Sequence, residues 1–326
     1  DTFFWGGVVP ENAASRAPLL AAGVPGAKCF LVHSGIDEFP NVTEADLERA
    51  MPALARAGAV LLVHAELPGP IDAASRLGGD PRRHSTWLHS RPRASENEAV
   101  ELVIRLAERT GCRVHVVHLS SSDALHGIAE AKKRGVPLTV ETCPHYLTFA
   151  AEEIGEGRTE FKCAPPIRES ENREKLWEGL RDGTIDMVVS DHSPCVPALK
   201  ALDSGDYAAA WGGISSLQLV LPAAWTGARA RGFGVESIVE WMCRRPASLA
   251  SLAGRKGALS PGADADLVVW HPEREFLVDA ASLRHRHPVT PYAGRRLFGV
   301  VERTFVRGEP AFEHGEPARE PTGRLL

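Results

Sequence analysis

Four residues place reactive or metal-ligating side chains inside, or at the end of, short apolar runs: Lys28, His64, His118 and Asp191. In Val188-Val189-Ser190-Asp191-His192-Ser193-Pro194-Cys195, two β-branched residues feed a polar terminus and Pro194 stops the strand. An Asp at a strand's carboxyl end, beside a His, can hold a metal, move a proton, or do both. His64 and His118 end runs of the same shape. Lys28 sits between Gly26-Ala27 and Cys29-Phe30-Leu31-Val32, surroundings that favour the uncharged amine. A neutral amine can add carbon dioxide to give a carbamate, an anionic two-oxygen ligand able to bridge two cations. Singly, each residue has a plain structural role open to it: a packed histidine, a lysine reaching for solvent, a capping aspartate. Four of them on successive strand ends point to a metal site. Along Val114-His115-Val116-Val117-His118, alternation assigns His118 to the site and His115 to the helix-facing layer. It also turns His192 away from the face of Asp191. His145 and His192 are therefore expected in supporting positions.

The elements that must carry these residues alternate. Strands are expected over 3–9, 27–32, 59–64, 113–119, 138–143 and 187–191, with helices over 11–22, 43–56, 95–109, 123–134 and 171–181 between them. Gly23, Gly58, Gly111, Gly135 and Gly183 stand where helices must stop, and Thr43 with Asp46 reads as a capping pair. Residues 68–93 form a long polar connection of the kind that covers a site. Short Val- and Leu-rich strands separated by helices mean a parallel sheet buried on both faces. With no Gly-rich phosphate loop, a (β/α)8 barrel is favoured over a doubly wound dinucleotide fold. Six strands are legible where a closed barrel has eight, and Asp1 leads straight into an apolar run. Two further strands are therefore expected upstream of Asp1. Helices follow over 215–230, 235–244 and 247–252. Strands and turns then fill 257–269 and 300–309, and a polar, loose tail is expected over 317–326. The expected domains are a barrel over 1–252 and a small β portion over 253–326.

Composition narrows the field. With 37 basic against 42 acidic residues, the net charge of −5 excludes a strongly basic nucleic-acid binder. No apolar stretch approaches the roughly 20 residues of a membrane span. The six cysteines are scattered with no C-x-x-C spacing, as expected of reduced cytoplasmic thiols.

The motifs around these residues resemble those of the cyclic amidohydrolases, and within them the allantoinase group. Gly26-Ala27-Lys28-Cys29-Phe30 is similar to the carboxylated-lysine strand. Val63-His64-Ala65-Glu66 and Val117-His118-Leu119-Ser120-Ser121 are similar to the two metal-histidine strands. Glu141-Thr142-Cys143-Pro144-His145-Tyr146-Leu147, Lys162-Cys163-Ala164-Pro165-Pro166-Ile167-Arg168 and Ser90-Arg91-Pro92 with Glu96 resemble further signatures. Ser34-Gly35-Ile36-Asp37-Glu38-Phe39-Pro40, Trp211-Gly212-Gly213-Ile214 and His287-Pro288-Val289-Thr290-Pro291-Tyr292 point to the allantoinase group. The family's first barrel strand carries a His-x-His pair. The one such pair in this chain, His285-Arg286-His287, has no apolar strand around it and is read as a surface segment.

The resemblance implies hydrolysis of a ring amide, that of allantoin to allantoate. It implies two divalent cations, zinc foremost with Mn, Fe, Co or Ni as alternatives, bridged by Lys28 carboxylated by carbon dioxide. His64, His118 and Asp191 are the implied ligands, with Asp191 also the proton carrier. Ser193 and the backbone at Cys163 and Ala164 are the implied substrate contacts. A homotetramer acting on a small molecule, with no nucleic-acid or membrane partner, completes the expectation. The competing readings are a dihydropyrimidinase or hydantoinase, a dihydroorotase, and a scaffold that has lost its metals.

Overall fold

The computed structural model describes residues 1–12, 18–76, 78–313 and 315–326. They form two compact units, Trp5–Ser215 and a second made of Asp1–Phe4 with Ser216–Leu326. In the first unit six strands form one sheet: β1 (Gly6–Gly7), β2 (Gly26–Phe30), β3 (Val60–His64), β4 (Arg113–Val116), β5 (Leu138–Thr142) and β6 (Met187–Val188). Their order in the sheet is their order in the chain, and every neighbouring pair is parallel. A doubly wound sheet reverses its order at a switch point. This one does not, so the sequential order is that of a barrel. Among the described residues, β1 and β6 each pair on one side only.

All five residues of β3 are buried, which explains why its sequence is an unbroken apolar run up to His64. The approach of β2 to β3 is close. A Cβ at Gly26 would stand 2.2 Å from the Val60 carbonyl oxygen, so only glycine fits there.

The register corrects one expectation. Lys28 pairs with Leu62, Leu62 with His115, and His115 with Thr139. Residues in register across a parallel sheet share a face, so His115 lies on the Lys28 side and not in the helix-facing layer. Strand alternation does not reach His118, because β4 ends at Val116 and His118 follows with a φ of 41°. Beyond a strand's end, period-two counting no longer applies.

The flanking helices follow their sequence signals. Helix Glu44–Arg56 begins with a complete capping box between Thr43 and Asp46 and buries Leu47, Ala50, Met51 and Leu54 on one stripe. Helix Arg93–Thr110 ends at Gly111, whose φ of 67° supplies the left-handed cap. Its start differs from expectation. Pro92 precedes the first turn, and the Ser95 hydroxyl donates back to the Pro92 carbonyl at 2.8 Å rather than capping. Residues 68–93 are not a plain connector but hold helices Pro68–Ser75 and His84–Ser90. Of the helix expected over 11–22, positions 13–17 lie outside the described residues.

The second unit packs helix Val220–Ala230 against an antiparallel sheet of β7 (Leu267–Leu277), β8 (Arg296–Val306), β9 (Glu309–Glu313) and β10 (Glu316–Pro317). Trp225 Nε1 donates to the Pro272 carbonyl at 2.8 Å, and the Phe298 amide donates to Thr226 Oγ1 at 2.8 Å. The tail is less loose than expected. The Thr2 amide donates to Arg324 O at 2.9 Å and the Leu326 amide to Thr2 O at 2.8 Å. His285 and His287 lie in a run of bends, with no strand around them. No helix of the described residues is long and apolar enough to cross a membrane.

Candidate active site

The ends of β2, β3, β4 and β6 bring the four singled-out residues into one neighbourhood. His64, the last residue of β3, stacks on Phe30 at 5.1 Å and meets the His118 ring edge-on at 4.6 Å between centroids. Lys28 Nζ lies 5.0 Å from the centre of the Phe30 ring. The Lys28 carbonyl accepts from the Val8 amide at 2.8 Å, but its Nζ makes no hydrogen bond or ion pair among the described residues. Burial pushes its pKa down, against the pull of the Asp191 and Glu141 carboxylates. Asp191 retains solvent-accessible surface. The protein packed around its carboxyl nevertheless raises its pKa, opposed by Lys28.

Both histidine candidates have supports. His64 Nε2 lies 2.8 Å from Glu66 Oε2. Glu66 is wholly buried, and Arg91 grips it through Nε at 3.0 Å and Nη2 at 2.6 Å. Burial alone would raise the Glu66 pKa. The Arg91 charge and the His64 contact outweigh it and bring the group down to about 2. An ionised Glu66 only accepts, so His64 donates from Nε2 and keeps the Nδ1 lone pair for a cation.

His118 is held by its own loop. The Ser120 and Ser121 amides donate to the two Glu96 oxygens at 2.6 and 2.8 Å, and Arg168 Nη2 reaches Glu96 at 3.2 Å. His118 Nδ1 is buried without a hydrogen-bond partner. Burial first, then the neighbouring His64 and Lys28, push its pKa well down, so the ring is neutral. Positive φ is uncommon outside glycine, and two of the six described non-glycine residues that adopt it are His118 and Asp191. Strain of that kind persists where surrounding contacts over-determine the backbone, as they do around His118.

The structure adds residues that the motifs alone did not bring out. His115 Nε2 lies 2.8 Å from Glu141 Oε2, and its Nδ1 lies 2.8 Å from Thr139 Oγ1. Two polar residues two apart on a buried strand, Thr139 and Glu141, were the available signal. Cys143, His145 and Asp191 place one ligating atom each within 4.8 Å of one another.

The expected substrate contacts are arranged differently from one another. The Cys163 carbonyl already accepts from Trp87 Nε1 at 3.0 Å. Ala164 precedes a cis peptide to Pro165. The Ser193 amide donates to Ile214 O at 3.0 Å. Its hydroxyl faces Gly213 so closely that a Cβ there would stand 2.5 Å from Ser193 Oγ. Gly213 is in turn tied to Lys162 O through its amide at 2.8 Å, and Lys200 Nζ donates to its carbonyl.

These donors fit divalent cations. Two neutral imidazoles, an unpartnered buried nitrogen, a carboxylate and an amine inclined to lose its proton are the chemistry that such ions select.

Sequentially ordered parallel strands with a polar cluster at their carboxyl ends define the class of barrel enzymes. The chain belongs to the amidohydrolase family, whose model matches residues 7–311, and it is a hydrolase. It is 52% identical over 326 residues to an allantoinase of Streptomyces avermitilis, covering all of this chain and 72% of the relative. It is 46% identical over 338 residues to an allantoinase of Arabidopsis thaliana, covering all of this chain and 67% of the relative. Among solved structures, the L-hydantoinase of Arthrobacter aurescens superposes with a TM-score of 0.92 at 31% identity, covering 98% of this chain and 72% of that one.

Proposed function

We propose that the chain hydrolyses the ring amide of allantoin to give allantoate. The observation that carries this reading is identity of 40–52% along the whole chain to allantoinases of a bacterium, a plant and a yeast. The hydantoinase structures stand at 24–31%. Arginine use also bears on the choice. A dihydroorotase needs a cation for its substrate carboxylate. In this chain Arg91 is committed to Glu66 and Arg168 to Glu96.

In this reading His64, His118, Asp191 and Lys28 hold two divalent cations, with Lys28 carboxylated by carbon dioxide. When bound, the cations supply Lewis acidity, polarising a ring carbonyl and acidifying water. Asp191 accepts the proton as water attacks and delivers it to the departing ring nitrogen. Its raised pKa suits a group that must take up a proton and release it again. His64 and His118, both biased towards the neutral form, ligate without adding charge. Ser193 and the backbone at Ala164 orient the ring. Cys163 contributes through its amide side, since its carbonyl is engaged by Trp87. The barrel portion over 1–252 carries the chemistry, and 253–326 is a β appendage. Zinc suits the imidazole and carboxylate donors, and six free thiols suit a cytoplasmic enzyme. A homotetramer rests on family resemblance alone.

A substrate panel tests the assignment. Turnover of allantoin should exceed that of dihydrouracil and dihydroorotate. Preference for dihydrouracil would move the chain to the hydantoinase reading, and preference for dihydroorotate would sink both.

A further inference from the structure

The proposed hydrolytic site leaves Cys143 and His145 without a task. Cys143 follows β5 directly, and Pro144 turns the chain into the short helix Pro144–Thr148, so Cys143 and His145 are two residues apart at one strand end. Both are fully buried. His145 packs against Tyr146 with 4.2 Å between ring centroids, yet neither of its ring nitrogens has a hydrogen-bond partner. Both nitrogens of this buried imidazole are therefore open to a ligand. The Cys143 sulfur, a His145 nitrogen and an Asp191 carboxylate oxygen all lie within 4.8 Å of one another.

We infer that Cys143 and His145, sharing Asp191 with the hydrolytic centre, form a further site for a thiophilic divalent cation of the zinc and cadmium class, and that occupancy withdraws Asp191 from the reaction. One sulfur, one imidazole and one carboxylate form a borderline-soft donor set with a fourth position open. Magnesium or calcium would not repay loss of the thiol proton. Binding breaks the Cys143 S–H bond, forms a sulfur–metal bond and releases the proton to solvent. Uptake is therefore expected to strengthen as pH rises. The withdrawal of Asp191 rests on its proposed role as proton carrier. Binding itself does not.

Cadmium titration of the chain with its resident metals tests the site. One cadmium ion per chain beyond the resident metals should bind, with a thiolate-to-cadmium charge-transfer band that saturates at that equivalent. Cys143→Ser should abolish the band, and His145→Asn should weaken binding by about tenfold or more. In the unmodified chain, the cadmium NMR shift should report a single sulfur in a mixed donor set, a readout independent of how the variants fold. Absence of the band, its persistence in Cys143→Ser, or a shift typical of several thiolates would overturn the site. Full turnover with the band saturated would overturn the withdrawal of Asp191 and leave the site standing.

Discussion

Glu66 shows how much of the site is built one residue away from the reacting atoms. It is buried, ionised and shared between Arg91 and His64. Its contact selects the His64 tautomer, so Glu66→Gln should lower metal affinity by about 10–100-fold while circular dichroism stays unchanged. Unaltered affinity would mean that the ring is fixed by Phe30 stacking alone. Removing the other partner is a different experiment. Arg91→Ala strands a buried carboxylate and should destabilise the fold by about 3–5 kcal/mol, measured by denaturant unfolding. At this scale the sequence was half legible. Strand-end placement singles out Lys28, His64, His118 and Asp191. Glu66 and Glu96 appeared only as letters in motifs, because a carboxylate reaching back to a neighbouring loop leaves no periodic trace. His115 was assigned to the wrong face, because counting ran past the end of β4.

Among elements, the loop Trp211-Gly212-Gly213-Ile214 has the clearest mechanical reason for its sequence. Gly213 has a φ of 152°, and a Cβ there would meet Ser193 Oγ at 2.5 Å and Ser193 O at 2.7 Å. Gly213→Ala should push Ser193 away, raising KM for allantoin more than it lowers kcat, with an overpacking cost of about 1–3 kcal/mol. An unchanged KM would remove Ser193 from substrate contact. Helix and strand existence was largely readable, because the Gly stops, the Thr43 capping pair and the apolar runs each act locally. Boundaries were less so. β6 shrinks to Met187–Val188 because the chain leaves the ladder for the left-handed turn at Asp191. The helix after Pro92 starts two residues early because the proline, not Ser95, sets its first turn.

For the molecule as a whole, buried neutral histidines set a lower pH limit. Burial lowers the His84 pKa to about 4 from an ordinary 6.5, with Glu169 opposing. Both of its nitrogens lack partners, and its ring meets Tyr207 edge-on at 5.6 Å. A depressed folded-state pKa gives stability that is complete above 6.5 and is lost as pH falls through 4. Tm should therefore fall across that window, and His84→Phe should flatten the fall. An identical slope in the variant would place the acid sensitivity elsewhere.

In the proposed reaction Asp191 both binds a cation and carries the proton. Asp191→Asn keeps an oxygen donor but removes the base. Measured together on the metal-loaded protein, metal content should stay largely intact while allantoin turnover falls by about 10²–10⁴-fold. Turnover close to that of the unmodified chain would mean that Asp191 carries no proton in the reaction.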